Sequence, residues 1–458
     1  MLDRLILGEG VEFSTDERKT HLNNNICIIG TTGSGKTLSL IQPRLIYNRS
    51  MNLIVSDPKR ELIEPYRNYY EKLGYKVLEL NVSDPILTDV CCDPMEYVAS
   101  HKDINTLARA IVNLTPQRPN SSADSYWENS SCNVVKFAMY YKLSFDSYPS
   151  IVDVVEFIEN LEVDERNSLM TTNVDYVVED VKKKEPNHPM IASYNSFKTA
   201  PIKTAGSIFT TIKTTLSNVF SEDVKEVIKT NPTLDLEKFT EEKSILFITA
   251  DGADEYEDAF INLIFDTLIQ QLTKIANTYP DKRLPIPVHL IFDDFAAGTK
   301  ISSFPSQISK FRSKNISSTI VLQSETQLDG MFGEADGKTI INNNDTLIYL
   351  GGNDIKTVQN IAIRLNCPIE KVLYMPLDKI CIFRRGSKPI ITNKYETLKD
   401  KNFIKIQNNY KKSIIENGKH NTPSLLKNEI KCKKVYDIDK QKDLDAKFDE
   451  LYNAIKDD

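Results

Sequence analysis

Seven short runs of apolar, mostly β-branched residues recur along the chain: NICIIG (25–30), NLIVSD (52–57), YKVLEL (75–80), SILFIT (244–249), VHLIFD (288–293), SSTIVL (317–322) and DTLIYL (345–350). Runs of this length without polar alternation predict strands buried on both faces. Between most of them the apolar residues return every three to four positions, as in KTLSLIQPRLIYN (36–48) and EDAFINLIFDTLIQQLTKIANTY (257–279). In the second of these, Phe260, Leu263, Ile264, Leu268 and Leu272 form the core face of a helix. Strands alternating with helices predict an α/β fold, a mostly parallel sheet with helices on both faces. The rhythm stops between about 105 and 235, where only helical spacing is found. Turn-rich borders, TPQRPNSSADS and KTNPTLD, flank this stretch. The expected organisation is therefore residues 1–104 and 236–398 as two parts of one nucleotide-binding domain, 105–235 as an all-α insertion, and 399–458 as a charged tail.

That tail is charge-segregated. Residues 399–434 hold ten lysines against three acids, net +7, and 435–458 hold eight acids against four lysines, net −4. A solvated appendage and a docking segment both fit such a pattern. Over all 458 residues, 57 Lys and Arg against 64 Asp and Glu give −7, which excludes a broadly basic coat for nucleic acid. A DNA role would need a locally basic channel. The seven cysteines (27, 91, 92, 132, 367, 381, 432) have no metal-ligand spacing and read as reduced cytosolic thiols. No signal peptide and no membrane-length apolar window is found, so a cytoplasmic protein is expected.

The sharpest chemical signal is GTTGSGKT, 30–37, placed between an apolar strand and an amphipathic helix. Gly30, Gly33 and Gly35 permit turns closed to other residues, so that the N–H groups of a loop formed by Gly30, Thr31, Thr32, Gly33, Ser34, Gly35, Lys36, Thr37 and Leu38 can face phosphate oxygens. Lys36 would neutralise the β- and γ-phosphates. Thr37, opening the helix, can offer its hydroxyl to Mg²⁺ beside the positive helix end. The strand VHLIF then ends in Asp293 and Asp294. One acid there is also an ordinary loop-start carboxylate; after a phosphate loop, the pair reads as a metal-side Asp293 followed by Asp294 as activator of the attacking water.

These blocks, in this order, resemble the VirD4/TraG family of type IV secretion coupling proteins, RecA-like motors of conjugation. The resemblance runs over about residues 25–395. It rests on GTTGSGKT, SDPKRELIEPYRNYYEKLGYKVLELN, SYWENSSCNVVKFAMYY, SYNSFKTAPIKTAGSIFTTIKTTLSNVF, IFDDFA, ISKFRSKNISSTIVLQSETQL and NNNDTLIYLGGND. It implies an ATPase using ATP and Mg²⁺, assembled as a homo-hexamer, that recruits relaxase-bound single-stranded DNA and drives its transfer. Accessory proteins, secretion channel components and a separate membrane-anchored partner would bring it peripherally to the cytoplasmic membrane. Matched to the family, Lys36, Thr37 and Asp293 are phosphate and metal contacts, Arg312 an arginine finger reaching a neighbouring subunit, and Gln323 a sensor of the γ-phosphate. Read alone, Arg312 is one cation in the solvated run KFRSK, and Gln323 a polar strand end.

Three departures stand out. The family usually carries Asp-Glu where this chain has Asp293-Asp294, usually carries glycine where Arg60 stands in DPKRE, and often begins with membrane helices. Asp57, Lys59 and Glu61 are given no catalytic role. Rival readings keep the loop but change the job: a VirB4- or HerA-like motor, or a receptor platform that binds nucleotide, sorts substrates and hydrolyses weakly.

Overall fold

The computed structural model describes residues 4–114, 124–166, 169–198, 202–250, 255–295 and 300–418. The chain divides into two units, Met1–Asp400 and a second opened by the helix Lys401–Gly418. The first unit holds a hairpin of β1 (Arg4–Gly8) and β2 (Val11–Ser14), and then the strands of the main sheet: β3 (Ile26–Ile29), β4 (Asn52–Asp57) and β5 (Lys76–Asn81). After a ribbon of β6 (Val163–Arg166) and β7 (Leu169–Thr172), the sheet resumes with β8 (Ser244–Thr249), β9 (Val288–Phe292), β10 (Ile316–Leu322) and β11 (Thr346–Tyr349). It closes with β12 (Lys379–Arg384) and β13 (Ile390–Asn393).

The nine strands lie in the order β13-β12-β11-β3-β10-β9-β4-β8-β5. The seven strands expected from apolar runs are all present and mutually parallel. Every residue of β3, β4, β8, β9, β10 and β11 is buried, as covering by helices on both faces requires. The helix Glu255–Thr278 buries the expected Phe260, Leu263, Ile264, Leu268 and Leu272, and Phe265 packs on Phe292 of β9 with ring centroids 4.5 Å apart. Because β3 lies between β10 and β11 while β4 sits two strands beyond β10, the carboxyl ends of β3, β10, β9 and β4 lie side by side along one edge of the sheet. Ligands of open parallel sheets bind at such an edge.

Two expectations are corrected. The stretch 105–235 is not all-α. Its helices, from His101–Val112 to Glu222–Thr230, are interrupted by the antiparallel β6–β7 ribbon, in which Val163 pairs with Thr172. Each strand is only four residues long, and β-branched Thr171 and Thr172 favour extended pairing that a helical period hides. The segment after 398 does not begin as a tail: Lys401–Gly418 is a helix, with Phe403, Ile406 and Tyr410 at helical spacing. Residues 419–458, which hold the rest of the expected tail, lie outside the described residues, as do residues 115–123. Among the described residues no helix is long and apolar enough to cross a membrane.

Candidate functional site

The loop after β3 is tied to both neighbouring strands. Gly30 N–H donates to the Leu322 carbonyl at 3.0 Å, and Thr31 N–H to that of Gly351 at 3.2 Å. Gly33 and Gly35 turn the chain at φ +77° and +82°, where a Cβ would clash with the backbone. At Gly30 the constraint is contact: a Cβ would lie 2.7 Å from Ser34 Oγ. The Lys36 ammonium donates to the carbonyls of Gly30 (2.7 Å) and Thr31 (3.0 Å). Burial lowers its pKa, opposed by the charges of Asp293 and Asp294. Thr32 and Leu38 are exposed at the rim. The helix opens with one wide π turn, Thr37–Ile41, ahead of Pro43, which has no N–H to continue a regular ladder.

The acid pair meets this loop across the sheet. Thr37 Oγ1 donates to Asp293 Oδ2 at 2.6 Å. Burial raises the Asp293 pKa, while the Thr37 hydrogen bond and the Lys36 charge restrain the rise. Asp294 follows at φ +83°, uncommon for a residue with a Cβ, so its carboxyl leaves the strand sharply. Loss of hydration raises its pKa; Lys36, Lys59 and the Gln323 amide pull it back. Gln323, at the end of β10, fixes its backbone by donating to Gln327 Oε1 at 3.1 Å. The structure thus gathers residues 30–38, Asp293, Asp294 and Gln323 at one edge.

Arg312 is not there. It lies exposed on the helix Phe311–Lys314 before β10, at the opposite end of the strand from Gln323, where its charge acts on Glu17 beside Arg283.

The segment 57–61, given no role above, borders the site. Lys59 acts on Asp294, and Glu61 on Asp293, because β4 pairs with β9 in parallel and their ends adjoin. Asp57 Oδ2 accepts from Leu62 N (2.9 Å) and Ile63 N (2.8 Å), and burial pushes its pKa up to about 7. Arg60 takes φ +54°, a left-handed conformation that favours glycine. Its guanidinium bonds Glu79 at 2.7 and 3.2 Å. Pairing between strands distant in sequence is the signal that would have found this neighbourhood, and no local motif carries it.

The donor set suits a hard cation. Thr37 and Asp293 supply two adjacent oxygens, and among the described residues no group of three or more His, Cys, Asp or Glu could hold a metal alone. Such a pair fits Mg²⁺ that keeps waters and takes further oxygens from phosphate.

A glycine-turned loop between a central parallel strand and a helix, with a carboxylate on a nearby strand meeting the helix's first hydroxyl, defines a P-loop nucleotide-binding fold of the RecA-like kind. The chain belongs to the type IV secretory system conjugative DNA transfer family, whose model it matches over residues 7–366. Among solved structures it is similar to the bacterial conjugative coupling protein TrwBdeltaN70 in unbound form, with TM-score 0.61 and 16% identity over 86% of this chain and 88% of that one. The plasmid coupling protein TrwB in complex with ADP and Mg²⁺ matches with TM-score 0.63 and 16% identity, covering 85% and 88%. TrwB with the ATP analogue ADPNP matches with TM-score 0.60 and 16% identity, covering 81% and 84%. At these identities the likeness is one of fold. No curated protein matches the chain in sequence.

Proposed function

We propose that this chain is the coupling-protein ATPase of a conjugative type IV secretion system, which binds ATP with Mg²⁺ and uses its hydrolysis to move relaxase-bound single-stranded DNA. The observation that carries the reading is the 2.6 Å contact between Thr37 and Asp293, which joins the phosphate loop to the metal-side acid. In this scheme the backbone N–H groups of 33–37 and Lys36 hold the phosphates. Thr37 and Asp293 hold the cation, which supplies charge neutralisation at the phosphates when bound. Asp294, turned out of its strand beside Gln323, orients and deprotonates the attacking water, and Gln323 reports on the γ-phosphate. The nucleotide complexes of TrwB support the ligand class.

Arg312, at the far end of β10, can serve only a neighbour's site, which supports a ring as the working form. Its guanidinium would stabilise charge on the transferring phosphoryl there. The DNA substrate is supported by a cleft of about 730 Å³ between the helices His101–Val112 and Asp124–Phe145. Lys102, Arg109 and Lys136 line it together with Asn105, Asn129 and Asn133, and the three cations have no ion pair among the described residues. A net-negative chain thereby offers a local basic surface for phosphodiesters.

The test is ATP turnover with and without single-stranded DNA for the native protein, Lys36→Ala, Asp294→Asn and Arg312→Ala. The proposal expects DNA stimulation that all three changes abolish. Turnover no higher than the Lys36→Ala background, in protein that binds nucleotide and assembles, sinks the motor. That outcome favours the receptor platform, for which the short Asp294 in place of the family's usual glutamate is the motivating feature.

A further inference from the structure

The last strand of the sheet does not end the first unit. After β13 the chain runs across the phosphate loop and its helix as a strap, residues 394–400, fastened at three points. Lys394 Nζ donates to the Ser34 carbonyl at 2.7 Å. Thr397, fully buried, donates its hydroxyl to the Leu38 carbonyl at 2.5 Å. Asp400 Oδ2 accepts from Tyr47 and Tyr395, each at 2.5 Å, at the far end of the same helix. Residues 34, 38 and 47 are thus held from outside by a segment more than 350 positions later in the chain.

The first fastening has chemical content. In a phosphate loop successive N–H groups turn inward toward the anion. The peptide that joins Ser34 to Gly35 presents its carbonyl to Lys394, and its N–H, that of Gly35, belongs to the inward set. A cation on the carbonyl draws charge through the amide and makes that N–H a stronger donor, since hydrogen bonds in series polarise one another. Lys394 is half-buried; burial lowers its pKa and the nearby Asp378 opposes this. The Lys394 backbone is itself fixed, its N–H donating to the Asp378 carbonyl at 2.8 Å. Ser34 Oγ is buried without a partner under Gly30, so no side-chain bond of its own holds the loop at this residue.

We infer that Lys394 is a positioning residue of the nucleotide site: acting through the Ser34–Gly35 peptide, it sets the loop for phosphate and couples phosphate occupancy to the strap that leads into the helix Lys401–Gly418. The coupling is reciprocal. Phosphate accepting from Gly35 N–H makes the Ser34 carbonyl a better acceptor for Lys394 and tightens the strap. Lys394 therefore contributes to affinity from outside the glycine-rich motif, and the strap reads whether the site is filled. This rests on the nucleotide-binding reading above.

The test uses the full chain. ADP affinity in Mg²⁺ is measured by titration calorimetry for the native protein, Lys394→Met, Lys394→Arg and Lys36→Ala, and amide hydrogen exchange of 394–400 is followed with and without ADP. Expected are an affinity about tenfold weaker in Lys394→Met, recovery of most of that loss in Lys394→Arg, and slowed exchange at Thr397, Lys399 and Asp400 on adding ADP to native protein but not to Lys394→Met. A purely structural lysine would lower stability without linking strap exchange to ADP. Native affinity in Lys394→Met, or strap exchange in native protein that ignores bound ADP, overturns the inference. If Lys394→Met does not fold, exchange in the native protein alone decides. Native protein that binds no ADP, like Lys36→Ala, instead overturns the nucleotide-binding reading on which this one stands.

Discussion

Replacing Arg60 by the glycine usual in the family should destabilise this protein, although glycine is the better residue for a backbone at φ +54°. Two effects oppose each other. Glycine relieves a left-handed conformation that costs a residue with a Cβ about 1–2 kcal/mol, and returns about 1 kcal/mol of that as added freedom of the unfolded chain. Against this stands Glu79, whose side chain is only 2% exposed while carrying a carboxylate. Arg60, at 24% exposure, binds both its oxygens; Arg67 at 3.0 Å and Thr249 at 2.9 Å share the rest. Breaking a buried pair by removing one partner costs about 3–5 kcal/mol, and the surviving Arg67 places this case at the low end. The net is a loss of about 2 kcal/mol. For a unit of 400 residues, with unfolding entropy near 2.1 cal/mol/K per residue, that lowers the melting temperature by roughly 2–3 °C. Calorimetry on Arg60→Gly, Glu79→Gln and the double variant measures it, and the double variant should show about 1–3 kcal/mol of coupling between the two positions. An Arg60→Gly protein that melts at or above the native temperature, or strictly additive losses, would refute the reasoning.

Other outcomes follow from the same geometry. Asp57, with its pKa raised to about 7 by burial, binds a proton in the folded state that the unfolded chain does not hold above about pH 4, so its contribution falls as pH rises from 4 to 7 and is gone above 7. Asp57→Asn keeps an acceptor for Leu62 and Ile63, so its melting temperature relative to native should be higher at pH 8 than at pH 5; an equal offset at both contradicts this. Loss of hydration raises the Asp294 pKa, so turnover should be lost on acidification above the range of an ordinary carboxylate, and a pH–rate profile that falls only within that ordinary range would contradict the raised pKa. Mixing Lys36→Ala with Arg312→Ala in equal amounts should restore about one quarter of native turnover, since that share of ring interfaces regains both groups; no recovery argues against action between subunits. Reversing Lys102, Arg109 and Lys136 to glutamate should reduce the salt dependence of single-stranded DNA binding by about two units of slope while leaving DNA-free turnover intact, and an unchanged slope would remove the cleft from the DNA path.

What could be read in the sequence was what is contiguous in it. Six of the seven parallel strands are buried throughout and β5 is buried but for Lys76, so each reads as a mainly apolar run. The hairpin β1–β2, the strand β12 and the edge strand β13 are not legible in this way: RLILG is five residues, and IITN at the sheet edge is half exposed, leaving little apolar contrast. The β6–β7 ribbon escaped because VDER is polar throughout after its valine. The phosphate loop was legible because its chemistry lies in eight consecutive residues. Asp293 and Asp294 were legible because a strand end marked them. Lys59, Glu61 and Lys394 were not, since each reaches the site through strand order, which no local spacing encodes. At Arg60 the backbone takes a left-handed conformation and the side chain gains a buried partner, and no local spacing encodes either.

Strand β10 has a consequence for timing. It carries Gln323 just beyond one end and Arg312 just before the other, about 20–25 Å apart at the rise of an extended chain. Both its edges are laddered, to β3 on one side and β9 on the other, so it can neither bend nor slip by itself. With the roles proposed above, a displacement of the glutamine when a phosphate leaves would be carried along this strand toward the arginine. In a ring, each subunit would then pass word of its own spent nucleotide to the next along a single stiff rod, and the firing order would be set by covalent geometry rather than by diffusion.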